Sequence, residues 1–88
     1  MDISVQNRIE FVLEELNRRA DESAKELNRL ANSTTKYGEE RRQKLQRINR
    51  KSVKRFNLLN QLVEEFRQSS AAEKNEIWGK IFNILQQY

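Results

Sequence analysis

The apolar positions of the first thirty residues keep a single rhythm: Ile9, Leu13, Leu16, Ala20, Ser23, Leu27 and Leu30 are separated by alternating steps of four and three. That spacing returns side chains to one face of an α-helix every heptad and predicts a helix over about residues 3–31. Ala20, Ser23 and Ala24 line its middle with small side chains, so a partner helix is expected to cross closely there. A second stripe, Leu45, Ile48, Ser52, Phe56, Leu59, Val63 and Phe66, widened by Val53 and Leu62, predicts a helix over about 39–67. Between the two, residues 32–38 gather side chains that compete for backbone hydrogen bonds and end in a glycine. A turn is expected, with Thr34 or Thr35 capping the second helix and Gly38 tolerating positive φ.

Ser70-Ala71-Ala72-Glu73 matches a capping box, in which serine and glutamate side chains satisfy each other's backbone N–H groups, and a third helix is predicted over about 71–87. Ile77, Trp78, Ile81, Phe82, Ile84, Leu85 and Tyr88 share its apolar face, while Glu73, Glu76, Lys80, Asn83 and Gln87 fall outside it. Gly79 lies inside this helix at a cost of about 1 kcal/mol relative to alanine, which implies either a close backbone contact or tolerated slack. An echo eleven residues apart, Glu15 to Ala20 against Glu26 to Ala31, reads as one helix using the same face twice.

Nothing alternates with period two, proline is absent and there are only two glycines, so the expected fold class is all-α. The predicted architecture is one domain over residues 1–88, an antiparallel hairpin of two long helices plus a shorter C-terminal helix, forming a three-helix bundle. Helices of nearly thirty residues are about 40 Å long, against about 25 Å for the third. The third helix therefore cannot cover the whole hairpin. Burial of the remaining seam, which includes Leu27, Leu30, Leu45 and Ile48 at one end or Ile9, Leu13 and Phe66 at the other, would then take a second copy or another protein, and a homodimer built in coiled-coil fashion is expected.

Composition sharpens this picture chiefly by exclusion. The hydrophobic fraction of 36% is low and the charged fraction of 34% high, the balance of elongated helices with one wet face. Cysteine is absent, which removes thiolate chemistry and disulfides and makes a cytoplasmic location the simplest expectation. The longest apolar run is Phe11-Val12-Leu13, so neither a membrane span nor a signal peptide is expected. Histidine is also absent, and with it go the commonest general base and the commonest neutral metal ligand. No glycine-rich loop cradles a phosphate and no base neighbours a serine in a known motif. No enzymatic activity and no cofactor are expected. Acidic residues have a plainer use, since Glu14–Arg18, Glu15–Arg19 and Asp21–Lys25 are spaced as i,i+4 ion pairs.

Charge singles out the second helix. Residues 1–33 carry five basic and seven acidic groups, residues 34–68 ten and four, and residues 69–88 two and two. From Arg41 to Arg55, eight of fifteen residues are Lys or Arg and none is acidic. Arg47, Arg50, Lys51 and Lys54 fall opposite the apolar stripe, with Arg42, Lys44 and Arg55 at its flanks. A basic face of this kind suits an acidic protein surface, including another copy of this chain. It equally suits duplex phosphates, or it is a solvated face with no ligand. The leading expectation is a small regulatory or adaptor module binding a protein partner, followed by a nucleic-acid-binding protein. Size, basic surplus and helical content are also similar to those of bacteriocin immunity proteins and small plasmid or phage regulators. That likeness of composition implies, as a third reading, a membrane-associated immunity-type protein, although Trp78 and Tyr88 fit a core better than a membrane surface.

Overall fold

The computed structural model describes residues 2–88 and is all-α. Its three helices are α1 (Ile3–Leu30), α2 (Lys36–Gln68) and α3 (Ala71–Leu85), and no strand is present among the described residues. Cross-chain partners fix their directions. Glu26 meets Arg41, and Ala20 and Ser23 meet Asn49, so α1 and α2 run antiparallel. Phe66 packs near Trp78 and Arg55 reaches Tyr88, so α3 runs back along α2, beside the N-terminal half of α1. The result is an up-down-up arrangement measuring 55 × 20 × 19 Å. Its radius of gyration of 16.5 Å exceeds the ~12 Å of a compact domain of this length.

Helix ends follow local chemistry. Asp2 caps α1 by accepting from the Ser4 N–H. Thr35 Oγ1 accepts from the Gly38 N–H at 3.0 Å, satisfying one of the donors a helix start leaves open. α2 thus begins at Lys36, three residues before its expected start, and Gly38 belongs to the first turn with no positive φ. The role of Gly38 is steric. A Cβ there would overlap the Ser33 side chain. Ser70 does occupy the N-cap of α3, but its hydroxyl makes no capping bond, so the reciprocal box with Glu73 does not form; this helix start is exposed and water can satisfy it. Gly79 has nothing within 4 Å of a notional Cβ, which makes it slack rather than a contact.

The core is lopsided. Ile9, Val12 and Leu16 of α1, Leu59 and Leu62 of α2, and Ile81, Ile84 and Leu85 of α3 form one buried cluster at the end where α3 lies. Val12, absent from the expected seam, is fully buried. It lies on the side of α1 that carries Val5 and Arg8, which line a cleft with Trp78, Phe82 and Leu85, so a third helix rather than a second copy covers it. Toward the interhelix loop the interior turns polar. Asn49 Nδ2 donates to the Ala20 carbonyl at 2.9 Å and to Ser23 Oγ at 3.2 Å, and buried Ser52 donates to the Ile48 carbonyl. Ala20 and Ser23 do mark a close crossing, since a short amide spans it, whereas Ala24 is exposed. Asn49 takes the inward place at this crossing and Ile48 is left 36% exposed; Val53 is 42% exposed as well, against the expectation that both lie in the apolar stripe.

Candidate interaction surfaces

Cations of the basic run divide into two sets according to what lies within reach of each. Arg41 grips Glu26 through two hydrogen bonds of 3.0 and 3.1 Å, closing α2 onto α1. This pairing holds the Glu26 carboxyl below its ordinary range and raises the Arg41 guanidinium further, in each case chiefly through the shared hydrogen bonds. Arg42 donates to the carbonyls of Leu30 and Ser33 at 2.8 and 2.6 Å. It thus neutralises the carbonyl end of α1, where a cation is favoured. Arg55 donates to the Tyr88 hydroxyl at 2.8 Å and, with Arg19, flanks the Tyr88 ring. Arg8 bonds the Leu85 and Tyr88 carbonyls. Arg42 and Arg55, expected at the flanks of a ligand-binding face, are therefore spent on the fold.

The other five are free. Lys44, Arg47, Arg50, Lys51 and Lys54 are exposed, and among the described residues none of them has an ion pair or hydrogen bond. Four of them, Lys44, Arg47, Lys51 and Lys54, step by three, four and three, so they form a straight ridge about 15 Å long. One further step of four reaches Leu58, which is 42% exposed. Leu58 was not a site candidate on sequence grounds, although its place in this stepping was legible there. It forms one wall of a cleft of about 380 Å³ between α2 and α3, lined also by Gln61, Leu62, Glu65, Lys80, Asn83 and Ile84.

α1 is electrically quieter. Arg18 bridges Glu15 and Glu22, Arg19 bonds Glu15, and Lys25 bonds Asp21. Glu14 is bypassed, because Arg18 reaches two other carboxylates. Glu15 in turn sits below the ordinary carboxylate range, held by Arg18 first and Arg19 second. Among the described residues, no three His, Cys, Asp or Glu side chains are placed to hold a metal ion, and no helix is long and apolar enough to cross a membrane.

The residues expected to mediate self-association are placed unevenly. Ile9 and Leu45 are buried within one chain and have no surface left to give a partner, because the facing helices already cover them. Leu13, Leu27 and Leu30 are half-buried. Ile48 alone of the six is exposed.

No protein family, curated protein or solved structure matches the chain. The surfaces above are therefore read from their own chemistry.

Proposed function

We propose that the protein is a non-catalytic regulatory or adaptor module that binds an acidic protein surface through the basic face of α2. One observation carries this reading. Five cations stand unpaired on one face while every other arginine of the same run is engaged internally. Unpaired like charges side by side repel, and an anionic partner relieves that repulsion while steering its own approach. Ile48 and Leu58 favour a protein over a nucleic acid. Both are exposed at the margin of the cations, and a phosphate backbone would leave that apolar surface wet.

Duplex phosphates are the second reading, supported by the straight ridge and the absence of acidic residues between Arg41 and Arg55. Capture from the native lysate separates the two. The wild-type chain and a Lys51→Glu/Lys54→Glu variant are compared at low and high salt, with and without nuclease. The expected result is that low-pI proteins survive nuclease, elute at high salt and are missing from the variant. If nuclease strips the bound material, the face belongs to nucleic acid. If wild type and variant retain the same proteins, the face has no part in binding.

A further inference from the structure

From the geometry we infer that the cleft between α2 and α3 anchors an apolar side chain of the partner, and that the partner element on this surface is an acidic helix. The inference rests on the protein-binding reading above and adds to it the shape of the ligand. Lys44, Arg47, Lys51, Lys54, Leu58, Gln61 and Glu65 follow one another by steps of three, four, three, four, three and four. These positions form one continuous row along the outer surface of α2, straight enough for a helical segment to lie against it. From Lys44 to Leu58 it runs for about 21 Å at ~1.5 Å per residue, or about four turns.

Chemistry changes along the row. Its first four positions are cationic and exposed, and its fifth is Leu58 at the mouth of the cleft. The cleft floor is apolar, since Leu62 and Ile84 belong to the buried cluster. Lys80 and Asn83 stand on the α3 side, so a second cation borders the anchor point. The one carboxylate there, Glu65, already accepts from Gln61 at 3.1 Å. A complementary helix therefore carries carboxylates along about three turns and one bulky apolar residue at one end of them. Charge steers and orients such a segment, and the apolar residue, desolvated in the cleft, fixes its register.

Two alanine-rich helical peptides of about 18 residues serve as probes, each with glutamates at heptad positions and one leucine, near the N-terminus in one and near the C-terminus in the other. Each is paired with a control in which alanine replaces the leucine, and a short DNA duplex is titrated in parallel. One leucine peptide is expected to bind at least about tenfold more tightly than its alanine control, shifting the backbone amides of Leu58, Leu62, Asn83 and Ile84. Leu58→Ser, at a partly exposed position, and Asn83→Trp, which fills the cleft from an exposed position, should each bring the leucine peptide down to the affinity of its alanine control on the same variant. Far-UV circular dichroism checks that both variants fold. If leucine and alanine peptides bind equally and Lys51→Glu/Lys54→Glu abolishes both, the anchor is overturned while the basic-face reading stands. If no peptide binds at low salt, whether or not the duplex does, both are overturned.

Discussion

Truncating one leucine in each half of the hairpin tests whether the protein has a single core. Leu59 is 0% exposed within the eight-residue apolar cluster, where all three helices meet. Leu59→Ala leaves a cavity that neighbours on three sides cannot fill, so the upper part of the usual range applies, about 3–5 kcal/mol. Leu45 is nearly as buried, at 4%, but lies outside that cluster, where two helices meet over a polar layer of Ser23, Asn49 and Ser52. There the site can relax into solvent, and Leu45→Ala should cost nearer 2 kcal/mol. A chain of this length has a total stability of about 4–13 kcal/mol, and each kcal/mol moves the melting temperature by about 4–8 °C. Leu59→Ala should therefore lower Tm by about 12 °C or more, and Leu45→Ala by clearly less. Circular dichroism melts at two protein concentrations, with urea titrations to check that the slope is unchanged, measure both. An equal or larger loss for Leu45→Ala would refute the single-core argument. If its Tm also rose with concentration, a second copy would be packing the loop half.

The two glycines should respond in opposite directions. Gly79→Ala gains helix propensity with open space around the new methyl and should stabilise by about 0.5–1 kcal/mol, whereas Gly38→Ala drives a Cβ into Ser33 and should lower Tm; stabilisation by the second change would show that the α1–α2 turn has room to move. Stability should also depend on acid in one direction only. Glu15 and Glu26 have folded-state values depressed below about 4.5 by their arginines, so their contribution is fully present above that pH and is lost as pH falls through the depressed values. With no histidine in the chain, urea midpoints should be flat between about pH 5 and 8 and fall below about pH 4.5. Arg41→Gln should weaken the acid limb, and a midpoint that instead fell between pH 5 and 8 would contradict this assignment.

Much of the fold was legible in the chain because helix formation is a local affair. Periodic apolar positions gave three helices with ends within about three residues, and their unequal lengths implied that α3 reaches only one end of the hairpin. The basic run of α2 was equally plain, since charge is a property of composition. What the sequence left open turned on which neighbour each side chain meets. A heptad seam admits either Ile48 or Asn49 at the crossing; the backbone of α1 at Ala20 comes close enough to hydrogen-bond an amide, so Asn49 turns in and Ile48 remains outside. Val12 became core only because α3 supplies a third wall. Eight cations looked alike in one dimension, yet Arg41, Arg42 and Arg55 lie opposite Glu26, the carbonyl end of α1 and Tyr88 respectively. Local periodicity determined the helices, whereas the choice between solvent-facing and fold-holding arginines depended on residues distant in sequence, because an ion pair needs its partner within about 4 Å and only packing brings it there.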